Sequence, residues 1–258
     1  MQPLAISVRA VGSAEELRGN IRSALARGLP EVTPALCAHD GTFVIVGSGP
    51  SLPSFVDEIK AERAKGRPIL ACNGAHDFLC ENGLEPDLFL TIDPRETIIG
   101  NTQKKNQNTT YLIASRCSTK LFDHLSDCKV MLWHSWGTDD ENAAFNHKFR
   151  IGGGTTSGTR AIYMGYIFGF RRFVVYGLDS CLAEDGQTKR FSGEKAGKIW
   201  PIFVGENKRQ FLANGAMAQQ AQEIQVLTQV LPDATFDFKG PGLIAAIWEE
   251  RKRMGLPV

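Results

Sequence analysis

Neither sign of charge is in excess in this chain: 29 Lys and Arg stand against 28 Asp and Glu, a formal net charge of +1. That balance removes any general electrostatic drive toward nucleic acid or an anionic membrane. Long apolar runs are missing as well. The longest stretch of apolar residues and glycine, Ala161–Phe170, is ten residues between Arg160 and Arg171. A spanning helix needs about twenty, so no membrane span is expected. Met1-Gln2-Pro3-Leu4-Ala5 shows no basic segment leading into an apolar core, and no secretory leader is expected. The six cysteines, Cys37, Cys72, Cys80, Cys117, Cys128 and Cys181, form no C-x-x-C pair. The five histidines, His39, His76, His124, His134 and His147, have no H-x-x-x-H spacing. These absences argue against a structural zinc site, and scattered thiols suit a reducing cytoplasm, the expected location. There is no internal repeat and no low-complexity tract.

What is present is an ordinary globular composition, 43% hydrophobic and 22% charged over 258 residues, enough for a packed core. Residues 1–39 read as a helical extension. Ser13-Ala14-Glu15-Glu16-Leu17 has capping-box spacing, Leu17, Ile21, Ala24 and Leu25 follow at helical intervals, and Gly28-Leu29-Pro30 ends the helix. From residue 40 to 258 short apolar runs alternate with amphipathic stretches. Strands are expected at Thr42–Gly47, Pro68–Cys72, Leu88–Ile92, Thr110–Ala114, Lys129–Trp133, Arg172–Tyr176 and Ala234–Phe238. Helices are expected at Ser51–Lys65, Ala75–Asn82, Thr156–Phe168 and Gln210–Val230. Near-continuous apolar strands separated by helices indicate an α/β domain: a Rossmann-like, mostly parallel sheet of six to seven strands with helices on both faces.

Six of these strands run out into small, polar or ionisable residues: Gly47-Ser48-Gly49, Asn73, Asp93, Ser115-Arg116, His134 and Gly177-Leu178-Asp179. Ligands of open parallel sheets bind beyond the carboxyl ends of the strands. Gly47-Ser48-Gly49-Pro50-Ser51-Leu52 can turn tightly, admit a phosphate and start a helix whose N–H groups face an anion. It is not the full dinucleotide fingerprint, since Leu52 stands where the third glycine would be, and no Walker A loop is present. Gly152-Gly153-Gly154-Thr155-Thr156-Ser157-Gly158-Thr159-Arg160 is a second turn dense in hydroxyl and N–H donors. Asp93 and Asp179 are strand-end carboxylates suited to a ribose, a metal, an acceptor or simply a helix cap.

These segments in this order resemble the MptE-like domain family: Gly47–Leu52, Asn73-Gly74-Ala75, Gly83-Leu84-Glu85-Pro86-Asp87, Thr91-Ile92-Asp93-Pro94, the Gly152–Arg160 turn and Gly177-Leu178-Asp179. The pattern covers roughly residues 40–182. The family is similar to motility accessory factor glycosyltransferases and to bacterial CMP-sialic-acid sialyltransferases. The resemblance implies a nucleotide-dependent transferase with nucleotide-binding Gly47, Ser48, Gly49, Pro50, Ser51, Asn73, Thr155, Thr156, Ser157 and Gly158, and with Asp93, His134 and Asp179 as catalytic candidates. The favoured activity is sugar transfer from a nucleotide-activated donor to an acceptor that the sequence does not identify. A second reading is a diphosphokinase acting on a hydroxymethylpterin-like alcohol. It would need Mg²⁺ with ATP, and Asp93 would be the ligand; otherwise no cofactor or metal is expected. Two departures bear on this. The diphosphokinase pattern has two close Asp residues where Asp93 is followed by Pro94 and Arg95, and no His follows His147, where sialyltransferases carry a late catalytic one. A third reading is a non-catalytic nucleotide-binding module. Homo-oligomerisation is left open. Finally, Leu182–Gln210, with Lys189 and Arg190 among its cations, is expected to be a mobile lid, with Trp200 and Phe203 covering the acceptor.

Overall fold

The computed structural model describes residues 11–137, 139–145, 148–195 and 197–258; Met1–Ala5 and His147 lie outside them. In chain order the elements are α1 (Ala14–Ala26), β1 (Thr42–Val46), a 3-10 turn at Leu52–Phe55 leading into α2 (Val56–Ala64), β2 (Ile69–Cys72), α3 (Ala75–Glu81) and β3 (Leu88–Thr91). A second 3-10 helix, Glu96–Asn101, precedes β4 (Thr110–Ala114), α4 (Thr119–His124), β5 (Lys129–Ser135), α5 (Asp139–Ala143), β6 (Arg150–Ile151), α6 (Ser157–Ile167) and β7 (Arg172–Tyr176). The chain ends with β8 (Trp200–Val204), β9 (Arg209–Ala213), α7 (Gly215–Gln225), α8 (Leu227–Val230), β10 (Thr235–Phe238) and α9 (Leu243–Arg253).

Eight strands form one sheet in the order β10-β7-β1-β2-β3-β4-β5-β6, and every pairing in it is parallel. The architecture is the expected Rossmann-like α/β sheet, one strand wider than seven because the two-residue β6 carries too little sequence to be read. Alternation of side chains divides the central strands between two cores. Phe43 and Ile45 of β1, Leu70 and Cys72 of β2, and Phe173 and Val175 of β7 enter one, with Ala161, Ile162 and Met164 of α6. Val44 and Val46, Ile69 and Ala71, and Val174 and Tyr176 enter the other, with Ile59 of α2 and Leu79 of α3. Both faces are therefore dry, which is why these strands have no polar side. Phe173 stacks on Phe236 of β10 with ring centroids 5.4 Å apart, closing that edge.

At the other edge the N-terminal segment is attached rather than separate. Ser13 caps α1 by accepting from the Glu16 N–H, and Leu17, Ile21 and Ala24 are buried. Beyond the helix, Val32 N–H donates to Leu132 O, and Leu132 N–H to Pro30 O, so this segment pairs along β5.

The sequence reading fails between residues 200 and 214. Gln210 was expected to open a helix, but it lies in an antiparallel hairpin of β8 and β9. Of the helix expected at Gln210–Val230, α7 and α8 form, and Asn214 caps α7 by accepting from Met217 N–H. Most residues of β8 are exposed, so no buried face imposes a period on that stretch.

Candidate active site at the sheet switch point

The strand order fixes where a ligand can enter. From β1 to β6 successive strands step across the sheet in one direction; the chain then returns to place β7 on the opposite side of β1. The loops after β1 and β7 therefore diverge at a topological switch, the usual position of a ligand crevice in such sheets. A cleft of about 190 Å³ opens there, lined by Gly47–Pro50 after β1, Cys72 and Asn73 at the end of β2, Thr156–Gly158 at the start of α6, residues 177–181 after β7, Lys189 and Arg190, and Asn214, Ala216, Met217 and Gln220 around α7.

The two central loops meet backbone to backbone. Val46 is in register with Tyr176, and Gly49 N–H donates to Gly177 O at 2.8 Å. A Cβ on Gly47 would sit 2.5 Å from Gly177 O, and one on Gly177 would sit 2.4 Å from Gly47 O. Glycine is required here for close approach.

Asp179, 4% exposed, locks this junction. Its Oδ2 accepts from Ser51 N–H at 2.9 Å and its Oδ1 from Ser51 Oγ at 2.7 Å. Burial raises its pKa, and the two Ser51 bonds work against that shift. The Ser51 donors expected to face a phosphate are thus engaged by a carboxylate of the chain itself. Thr155 is similar: its N–H donates to Glu223 Oε2 at 3.0 Å, and it does not line the cleft. Thr156 lines the cleft, but its Oγ accepts from Thr159 N–H and from Gln220 Nε2. Gln220 in turn accepts from Ser180 Oγ at 2.7 Å, so α7 ties the two loops together.

Asn73 and Ser157, 84 positions apart, converge as expected: Ser157 Oγ donates to Asn73 Oδ1 at 3.3 Å. Asn73 holds φ +50° and Ser180 φ +52°. Left-handed non-glycine residues are uncommon, and two of them border this one cleft. A second cavity, about 540 Å³, adjoins the cleft through Pro50, Asp179 and Cys181 and extends along Leu182–Glu184 and Arg209–Leu212 to Pro241 and Gly242.

Two catalytic candidates lie outside the cleft lining. Asp93, at the end of β3, is gripped through both oxygens by Arg95. His134 is buried near the far edge of the sheet, its Nε2 3.2 Å from Glu31 Oε2 and its ring against Phe145. Burial lowers its pKa despite Glu31. Sequence inspection could not see that sheet order puts β5 four strands from β1. Trp200 and Phe203, expected over an acceptor, line neither cavity; they belong to the exposed β8. Gln220, Asn214 and Ser180 were not anticipated. The Asn214-Gly215 start of a helix was the available signal. No helix among the described residues is long and apolar enough to cross a membrane.

The described residues offer Mg²⁺ no preformed cage of side chains. Among the described residues no three His, Cys, Asp or Glu side chains group to hold a metal, and Asp93 and Asp179 already have Arg95 and Ser51 as partners.

A parallel sheet with helices on both faces and a polar cleft at its switch point defines a Rossmann-like α/β protein. More particularly, the chain belongs to the MptE-like family, described as 6-hydroxymethylpterin diphosphokinase MptE-like, which matches residues 16–185. Its fold is similar to that of the MAf glycosyltransferase from Magnetospirillum magneticum AMB-1, with a TM-score of 0.69 and 15% identity over 90% of this chain and 38% of that one. A mammalian sialyltransferase aligns with a TM-score of 0.41 and 11% identity over 85% of this chain and 78% of that one, too weak a likeness to carry an argument. A Treponema pallidum (strain Nichols) protein described as uncharacterized is 40% identical over 52 residues, 20% of this chain and 24% of that protein. The chain thus spans little more than a third of the Magnetospirillum enzyme, and its match to the Treponema protein covers about a quarter of that protein.

Proposed function

We propose that this chain is a transferase that moves a sugar from a nucleotide-activated donor to an acceptor hydroxyl. The observation that carries the reading is the convergence of four loops on the switch-point cleft, with Asn73 and Ser157 in contact and two cations, Lys189 and Arg190, on its wall. The nucleotide lies in the cleft with its phosphate against the Ser48–Gly49 turn. The acceptor enters through the adjoining larger cavity. Asp179 stands in the wall common to both. In the transfer, the acceptor oxygen bonds to the anomeric carbon as the bond from that carbon to the phosphate oxygen breaks. The electron pair leaves with the phosphate, and the acceptor proton passes to Asp179. Positioning and donors aimed at the leaving phosphate supply the catalysis. Family membership and the likeness to a glycosyltransferase fold support this reading.

Thermal-shift titration with CMP, CDP, UDP, GDP and ATP, with and without Mg²⁺, identifies the nucleotide, and sugar release from the matching donors then tests turnover. Asp179→Asn retains an oxygen for Ser51. It is expected to bind nucleotide but lose at least about a hundredfold in turnover, the scale of a positioned base. Full turnover by that variant would remove Asp179 from the chemistry. Stabilisation by no nucleotide would end the transferase reading.

A further inference from the structure

Apart from Lys189 and Arg190, the cleft is lined by neutral residues and Asp179. Both cations come from the loop that follows Leu182, and that loop is docked on the glycine turn. Phe191 N–H donates to Ser48 O at 3.3 Å, and the Phe191 ring packs on Phe78 with centroids 4.7 Å apart. Lys189 and Arg190 are thereby held beside the place where a phosphate meets Ser48. Neither is unpartnered. Lys189 Nζ lies 2.5 Å from Glu194 Oε1, and Arg190 Nε lies 3.0 Å from Glu194 Oε2. One carboxylate bridges two cations, one oxygen to each. Lys189 N–H also donates to Glu194 O, and Gly193 N–H to Arg190 O, so a short turn brings the carboxylate back onto its partners.

That arrangement is an anion site filled by the protein's own side chain. A phosphoryl group or a carboxylate presents a similar pair of oxygens, and a charge-assisted contact to each cation is the strong form of such a bond. Glu194 is 43% exposed, so it can swing into water when a better anion arrives. Resting on the nucleotide-donor reading above, we infer that Lys189 and Arg190 clamp a second anionic group of the donor, beyond the phosphate at the glycine turn, and that Glu194 occupies the clamp when the cleft is empty. The second group is either a further phosphoryl or a carboxylate on the transferred sugar; their shared chemistry is the paired oxygens.

Calorimetry on matched pairs separates these sources. CDP against CMP and UDP against UMP report a second phosphoryl, and CMP-N-acetylneuraminate against CMP reports a sugar carboxylate. The member of one pair that carries two anionic groups is expected to bind at least about tenfold more tightly, the scale of one charge-assisted contact. The Lys189→Ala/Arg190→Ala double variant is expected to abolish that preference, weakening the member with the second anionic group about tenfold more than the member without it. Glu194→Gln is expected to strengthen the member with two anionic groups several-fold more than its partner. Nucleotide binding with no preference in any pair would overturn the clamp and leave the nucleotide reading intact. Equal weakening of both members of the preferred pair in the double variant, or no gain in Glu194→Gln, would do the same. Failure of the wild-type protein to bind any of these nucleotides would overturn the nucleotide reading, and the clamp with it.

Discussion

At the carboxyl ends of β1 and β7, backbone packs on backbone: Gly47 and Gly177 leave no room for a Cβ on either, and Asp179 spends both oxygens on Ser51. At the carboxyl end of β5, side chains fill the space instead. His134 is 2% exposed, its ring centroid is 4.8 Å from that of Phe145, and Glu31 closes over it with Lys148 at 2.5 Å from its other oxygen. Both regions end strands in polar residues, and both looked alike in sequence. What separates them is topology. Between β1 and β7 neighbouring loops part and leave a crevice; at the β5 edge, residues 30–32 and β6 pair along the strand. The segment after β6 joins the two regions. Gly152 lies near Trp136 at the edge, and Thr156–Gly158 end in the cleft.

The largest expected effect that sharpens this contrast is Gly49→Val. A Cβ at Gly49 would lie 2.3 Å from Asp179 Oδ2 and 2.7 Å from Gly177 O. Part of that obstacle is backbone, so the loops must separate. A loss of about 3 kcal/mol is expected in urea unfolding, the upper range for overpacking, together with loss of nucleotide binding in calorimetry. The sequence reading had this turn admitting a phosphate; the structure sets Asp179 and Gly177 against Gly49 instead. A Gly49→Val protein with an unchanged midpoint and unchanged affinity would show that the junction is loose.

That difference marks how far the sequence could be read. The strands of the sheet were legible because burial on both faces makes Phe43–Val46, Ile69–Cys72 and Phe173–Tyr176 nearly all apolar. The cleft loops were legible because Gly47-Ser48-Gly49, Asn73 and Gly177 each break such a run at its end. The internal use of their donors was not. Asp179 finds Ser51 from 128 positions away and Glu223 finds Thr155 from 68, pairings that only the closed fold creates. The β8–β9 hairpin was missed because a mostly exposed strand leaves no alternation to detect.

Of intermediate size is Glu223→Gln. Glu223 Oε2 accepts from Thr155 N–H at 3.0 Å and from Thr159 Oγ at 3.4 Å, and the glutamine keeps one oxygen for them. The glycines here serve another purpose: Gly153 and Gly154 adopt φ +86° and +72°. With that oxygen kept for the turn and the bond from Gln219 Nε2 to Oε1 lost, the change should cost about 1 kcal/mol. It should also weaken nucleotide binding less than Gly49→Val does. An equal loss of affinity in the two variants would make both glycine-rich loops equal parts of the cleft floor.

The smallest effect belongs to the β5 edge and is read only through pH. Burial holds the His134 pKa below its ordinary value of 6.5, the value near which the unfolded chain takes up the proton. Between the depressed folded value and 6.5 the unfolded state therefore binds more protons, so stability rises with pH across that window and falls as the solution is acidified below about 6.5. Glu31 acts lower. Burial opposes its ionisation, but Lys148 and His134 prevail and hold its carboxyl below 4.5. Its contribution is present above 4.5 and is lost as pH falls through its folded value. His134→Gln should flatten the limb just below pH 6.5 in a series of urea unfolding curves. Nucleotide affinity at pH 7.5 should stay as in the wild type, because the residue borders no part of the cleft. A weakened affinity would tie the β5 edge to the switch point and erase the contrast between them; an unchanged acid limb would show that His134 titrates alike in the folded and unfolded chains.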